Sequence, residues 1–244
     1  GEDEDGTGFR KDLIVDGTAD LVDTEGPEIN FIINGREVMD FALLSPSDIL
    51  NMNIEDDKSG INITGDVGHK IFAVANDNTQ SARDITHFFE YEENSFLRGS
   101  LQLPISLFTE FQEVDPANSL NSLSIKAWDN ANNSAVKTLQ FELVSGDELV
   151  LKDVLNYPNP FIENTTFQFL LSQDAEIKIK IYTLAGRLIA ELDPIPGEFG
   201  LNLVDWDGRD QDGDRLANGV YLYLLKARSE DMATEHLGKM IRMK

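Results

Sequence analysis

Along most of this chain apolar and polar side chains alternate one for one, the periodicity of strands that rest one face on a core and turn the other to water. The cleanest stretch is Glu176-Ile177-Lys178-Ile179-Lys180-Ile181, with isoleucines on one face and charges on the other. In the first half this period predicts strands at 29–33, 38–44, 49–54, 71–75, 85–91, 96–103, 123–128 and 136–144. In the second half it predicts them at 165–171, 176–182, 187–192, 201–206, 220–226 and 235–242. Gly, Asn, Asp and Ser clusters separate these runs and supply the turns that reversals need. Asn34-Gly35 and Leu184-Ala185-Gly186-Arg187 read as tight hairpin turns. Helical periodicity barely appears. Short helices are candidates at 45–52 and 105–113, although Asn51, Asn53 and Ile54 fit a strand equally well. Many short strands spaced about 8 to 12 residues apart predict an all-β chain of two tandem β-sandwiches.

Residues 145–152 look like the junction, and the two prolines of Tyr157-Pro158-Asn159-Pro160-Phe161 fit only a turn or a sheet edge. The expected organisation is an acidic amino-terminal segment over 1–24, a first sandwich over 25–148 and a second over 149–244. The chain's 244 residues suffice for two such cores. Charge divides the same way. Residues 1–150 hold 29 acids and 9 bases, a balance of −20, whereas 151–244 hold 15 and 11, a balance of −4. The net charge of −24 opposes the phosphate backbone of nucleic acid and the surface of an anionic membrane, so neither is expected as a partner. No apolar run approaches the ~20 residues of a membrane helix, and no membrane insertion is expected. The acidic start, Gly1-Glu2-Asp3-Glu4-Asp5-Gly6, is the reverse of a signal-peptide leader, so any export signal is expected outside this segment.

The absence of cysteine removes disulfides, thiolate metal sites and a cysteine nucleophile together. No Gly-x-Ser-x-Gly elbow, phosphate-binding glycine loop or His-Glu-x-x-His occurs. The three histidines, His69, His87 and His236, share no ligand spacing. Paired carboxylates for glycoside hydrolysis cannot be picked out of 44 acids without a pocket. No catalytic residue and no organic cofactor is therefore expected. Trp128 and Trp206 each close an alternating strand and are expected as sandwich core or rim rather than as a ligand platform.

Two acidic clusters have the composition of oxygen-donor cation sites, because calcium favours six to eight oxygens from carboxylates and carbonyls. The first is discontinuous: Asp23 before the first strand, Asp56 and Asp57 after the 49–54 strand, and Asp129 with Asn130 after Trp128. In an immunoglobulin-like strand order those three loops leave the same end of the sandwich, so the carboxylates converge there. Solvated turns are the ordinary alternative. The second cluster, Asp205 to Asp214, begins like a calcium loop but has Tyr221 where an EF-hand, counted from Asp210, needs a bidentate glutamate. A long hairpin between 201–206 and 220–226 accounts for it.

The run from Tyr157-Pro-Asn-Pro-Phe161, through Ile179-Lys-Ile-Tyr182 and Gly186-Arg187, to Trp206-Asp-Gly-Arg-Asp210, Gly213 and Ala217-Asn-Gly-Val-Tyr221 resembles a carboxy-terminal module. That module is the FlgD-type immunoglobulin-like domain, kin to the type IX secretion sorting domain of Bacteroidetes-like bacteria. The preceding part resembles the region that follows the catalytic domain in gingipain-type cysteine peptidases, including the type IX secretion sortase. It does so through Gly26-Pro27-Glu28-Ile29, Asp56-Asp-Lys-Ser-Gly-Ile-Asn62, Gly68-His69 and Lys126-Ala-Trp-Asp-Asn-Ala-Asn-Asn133. Gly238-Lys-Met-Ile-Arg-Met-Lys244 matches the basic tail of sorting domains only loosely. The resemblance implies two immunoglobulin-like sandwiches, accessory to a catalytic domain upstream and located on the cell surface or secreted. Its implied partners are that domain and type IX secretion or surface components. A cargo-type sorting signal and a carbohydrate-binding sandwich are the other readings.

Overall fold

The computed structural model describes residues 23–65, 69–111, 120–144 and 148–244, so all of the acidic 1–24 segment except Asp23 and Thr24 lies outside the described residues. The first sandwich comprises β1 (Glu28–Ile33), β2 (Arg36–Glu37), β3 (Ala42–Leu44), β4 (Ile49–Glu55), β5 (Phe72–Ala75), β6 (Arg83–Asp84), β7 (Glu90–Tyr91), β8 (Arg98–Pro104), β9 (Leu120–Trp128) and β10 (Ser134–Leu143). The second comprises β11 (Leu151–Tyr157), β12 (Thr165–Leu171), β13 (Ala175–Thr183), β14 (Leu188–Glu191), β15 (Ile195–Gly197), β16 (Gly200–Trp206), β17 (Gly219–Ser229) and β18 (Met232–Arg242). No α-helix occurs among the described residues. The chain is all-β, two tandem immunoglobulin-like sandwiches.

In the first sandwich, sheet β2-β1-β4-β8-β7 faces sheet β3-β10-β9-β5-β6. The alternation in β4, β8 and β9 turns Met52, Leu101, Leu103, Leu123 and Ile125 inward, each essentially without exposure. Each such side chain contributes roughly 1.5–3 kcal/mol of transfer free energy. In the second, sheet β11-β12-β16 faces sheet β14-β13-β17-β18, with β15 also paired to β13. Phe167, Phe169, Ile177, Ile179, Ile181 and Leu225 fill that core. Trp206 is buried against Phe161 and Phe167, a core aromatic.

The turns follow their chemistry. Asn34 and Gly35 both have positive φ, 51° and 78°, as a two-residue hairpin turn between β1 and β2 requires. Gly186, at φ 83°, closes the loop in which Thr183 donates to the Arg187 carbonyl. Tyr157-Pro-Asn-Pro-Phe161 is pinned to the last strand. Asn159 donates to the Lys239 carbonyl and accepts from the Ile241 amide, and Phe161 donates to the Ile241 carbonyl.

Four expectations are corrected. The run 38–44 is a strand only over β3, because Phe41 turns out at φ 69°. The run 85–91 holds a 3-10 turn, Thr86–Phe88, before β7. The helix at 45–52 gives way to a turn in which the Ser45 amide donates to Asp48 Oδ2 at 2.7 Å, after which β4 begins. The helix at 105–113 is a single 3-10 turn, Ile105–Leu107, with 112–119 outside the described residues.

The sandwiches meet through few groups. Asp174 Oδ1 accepts from Arg36 at 2.7 Å and from the Phe199 amide at 2.7 Å. Arg36 also lies 3.4 Å from Glu198, and Lys152 pairs with Glu142. The Phe199 ring, carried by the second sandwich, packs into the core of the first.

Candidate functional site

The start of β1, the loop after β4 and the loop after β9 meet at the end of the first sandwich remote from this joint. Antiparallel pairing sets Glu28 opposite Glu55, so the residues before β1 and after β4 become neighbours. Ile61 bridges Asp129, and the Asn62 amide donates to the Trp128 carbonyl, which brings in the loop after β9. There, one carboxylate oxygen each from Asp23, Asp56 and Asp129 lies within 4.8 Å of the other two. Asp129 is fully buried, Asp56 is 7% exposed, and the Asp23 side chain is 2% exposed.

Each carboxylate is held by its own loop. Asp56 Oδ1 accepts from the amides of Lys58, Ser59 and Gly60 at 3.1, 2.6 and 2.8 Å, and from the Ser59 hydroxyl at 3.2 Å. The left-handed conformation of Gly60, φ 79°, permits this, and a Cβ there would lie 2.4 Å from the Phe96 ring. Tyr91 fixes the same loop by donating to the Ile61 carbonyl at 2.7 Å. Asp129 Oδ1 accepts from the Asn133 amide at 2.6 Å and Oδ2 from the Asn133 side chain at 2.7 Å. Asn133 also donates to the Asp23 carbonyl at 3.2 Å, tying two members of the trio together.

Asp23 differs from the other two. Its Oδ1 accepts from the Glu25 amide at 3.3 Å and lies 3.9 Å from the Lys58 ammonium. The neighbouring Ser59 hydroxyl, with the Glu25 amide and Lys58, holds its carboxyl below the ordinary range against desolvation. The same hydroxyl also lies 3.2 Å from Asp56 Oδ1, and Asp23 Oδ2 is buried with no hydrogen-bond partner.

Of the residues predicted for this cluster, Asp57 is exposed and outside the trio. Asn130 turns its amide to the Ser59 and Ile61 carbonyls at 2.9 and 3.4 Å, bracing the loops. Lys58, Ser59 and Asn133 are the participants that sequence reading does not assign. Their roles come from amide direction and cross-loop reach, for which the Asp56–Asn62 and Lys126–Asn133 runs carry only a compositional signal. The second acidic cluster does not close the expected hairpin: β16 pairs with β12 and β17 with β13 and β18 in the facing sheet, so this segment crosses between the sheets, pinched by an isolated bridge between Arg209 and Arg215. Asp210 Oδ1 accepts the Asp212 and Asp214 amides, and Arg209 donates to the Gly213 carbonyl. The histidines have separate neighbours: His69 bonds Asn132 at 2.6 Å, His87 packs on Phe88 and His236 stacks on Tyr223.

Comparison with known proteins finds one family match, within the second sandwich. Residues 162–231 match the FlgD Ig-like domain family. The matched segment thus begins directly after Tyr157–Phe161 and ends at the β17–β18 turn. No curated protein matches the chain. Among solved structures, the chain is similar to dimeric latent PorU from Porphyromonas gingivalis at 25% identity, covering 91% of this chain and 20% of that one, with a TM-score of 0.44. PorZ, a surface component of the type IX secretion system of the same organism, is 20% identical over 50% of this chain and 15% of its own, with a TM-score of 0.26. A β-glucuronidase from Parabacteroides merdae is 11% identical over 89% of this chain and 25% of its own, with a TM-score of 0.39. The chain thus spans about a fifth of the length of the PorU structure it matches.

Proposed function

We propose that this chain is the non-catalytic carboxy-terminal accessory region of a secreted or cell-surface gingipain-like peptidase of the PorU type. Its two sandwiches hold a fixed spacing between an upstream catalytic domain and type IX secretion or surface components. The observation that carries this reading is the FlgD Ig-like segment built into a second sandwich that is clamped, through Asp174, Arg36 and Phe199, onto a first. A spacer must resist bending, and a joint in which one carboxylate holds groups from both sides restricts rotation. The loop end carrying Asp23, Asp56 and Asp129 lies away from the joint and faces the upstream partner. No helix among the described residues is long and apolar enough to cross a membrane.

The FlgD Ig-like match also favours a second reading, in which residues 157–244 are the secretion address of a cargo protein. Fusion of those residues to a reporter in a host with type IX secretion separates the two. The accessory role predicts a reporter retained in the periplasm, together with binding of the 1–244 chain to an isolated gingipain-type catalytic region in a surface-immobilisation assay. Export of the reporter, or no binding to that region, overturns the accessory reading.

A further inference from the structure

We infer that Asp23, Asp56 and Asp129 form a calcium site that locks the three loops at the far end of the first sandwich. Two observations carry it independently. The first is the convergence: oxygens from three separate loops lie within 4.8 Å of one another, the diameter of a shell of calcium–oxygen bonds of about 2.4 Å. The second is the orphaned acceptor. Asp23 Oδ2 is buried with no donor, in a side chain only 2% exposed, although burying a polar atom unsatisfied costs about 1–3 kcal/mol and is seldom tolerated without a reason. A donor-rich pocket would have satisfied that oxygen with an amide, as Asp56 Oδ1 is satisfied four times over. A cation between the three carboxylates satisfies it instead.

The charge balance points the same way. Three like charges drawn this close out of water repel strongly, and among the described residues the only cation paired with them is Lys58. Lys58 is a poor counter-ion for the trio. It is 38% exposed, reaches only the outer oxygen of Asp23 at 3.9 Å and holds Glu25 more closely at 3.1 Å. Hard carboxylate oxygens, with no sulfur or imidazole among them, select a hard cation. The existing hydrogen bonds leave room for one. Those from Asn133 use one lone pair on each Asp129 oxygen, and those to Asp56 all land on Oδ1, leaving Oδ2 for the ion. Water supplies the remaining positions of a six- to eight-coordinate shell. The site would act as a staple, joining the chain before β1 to the loops after β4 and β9, and would stiffen the end that faces an upstream partner.

The test is calorimetric titration of the metal-stripped 1–244 chain with calcium chloride and with magnesium chloride, paired with melts in calcium and in chelator. One calcium per chain is expected, bound more tightly than magnesium, with the first sandwich melting roughly 5 °C or more higher in excess calcium. Asp23→Asn should weaken calcium binding by about tenfold or more. In the same variant the melt in excess calcium should approach the melt in chelator. Asp210→Asn, in the other acidic loop, should change neither quantity. A parent melt that ignores calcium, a titration unchanged by Asp23→Asn, loss of binding in Asp210→Asn, or tighter binding of magnesium each overturns the assignment. The outcome is independent of reporter export and of peptidase binding, so it can fail while the accessory role stands.

Discussion

At the scale of single residues the surface ion pairs are numerous but mostly weak, and Asp84 shows what one well-placed pair contributes. Its carboxylate lies 2.6 Å from the Lys70 ammonium and accepts the Thr86 amide at 3.0 Å, which pulls its pKa down to about 2. A carboxyl whose folded-state pKa is depressed adds stability above its unfolded value near 3.8, and that stability is lost as pH falls toward 2. Both partners are more than a third exposed, so solvent screening limits the contribution to about 1 kcal/mol or less. Asp84→Asn should therefore lower the urea-unfolding free energy at pH 7 by up to about that amount. The gap between parent and variant should close between pH 4 and pH 2, and a gap independent of pH would mean that the carboxylate is not held by charge. The pair was not foreseeable from the sequence. Lys70 and Asp84 are 14 positions apart and become neighbours only because the chain doubles back from β5 to β6.

Among the elements, β17 and β18 form the longest ladder, and its packing turns on one residue without a side chain. Gly238 stands opposite Tyr223, and a Cβ added there would lie 2.1 Å from the tyrosine ring. Tyr223 cannot withdraw easily: it is 3% exposed, meets Phe167 edge-on at 5.0 Å, and burial raises its phenol pKa. Glycine is what the ring covers, an aromatic filling the gap left in a strand. Gly238→Ala should destabilise the second sandwich by about 1–3 kcal/mol, read by denaturant unfolding. Combining it with Tyr223→Leu should recover part of that loss, because the clash and its relief involve the same pair. Additive losses would disprove the contact. Elements of this kind were readable where burial follows a period of two, as at Ile177, Ile179 and Ile181, all fully buried as the alternation requires. They were not readable where a local bond overrides the period. Asp48 captures the Ser45 amide and ends a candidate helix, Phe41 leaves the pattern in a left-handed turn, and Leu151–Tyr157 is a strand interrupted at Asp153, φ 50°, which blurs its alternation. The carboxylate convergence was readable for a different reason: strand order alone puts three loop ends together. The directions of the Asn130 and Asp57 side chains depend on backbone details that composition does not encode.

For the whole molecule the question is whether the two sandwiches behave as one body, as the proposed spacer role requires. Asp174 is the centre of the joint, accepting Arg36 from one sandwich and the Phe199 amide from its own. Desolvation pushes its carboxyl up, but the Phe199 amide and the Arg36 guanidinium together hold it below the ordinary range. The contribution of the joint is therefore present at neutral pH and lost on acidification through that depressed value. The apolar half is the Phe199 ring, 9% exposed and seated in the other domain's core. Truncating a ring buried to that extent costs roughly 3 kcal/mol, whereas solvent screens most of what the exposed Arg36 pair contributes. Phe199→Ala should thus do most of the uncoupling and Arg36→Ala little. In Phe199→Ala, small-angle scattering should show a larger maximum dimension and a broader distance distribution while far-ultraviolet circular dichroism is retained, and calorimetry should resolve two transitions further apart than in the parent. Acidification of the parent below the Asp174 pKa should move the scattering curve in the same direction but less far, because the ring remains seated when the carboxylate is neutralised. A scattering profile that Phe199→Ala leaves unchanged would mean that the connecting segment alone fixes the angle, and the two sandwiches would then be a spacer by virtue of their linker rather than their interface.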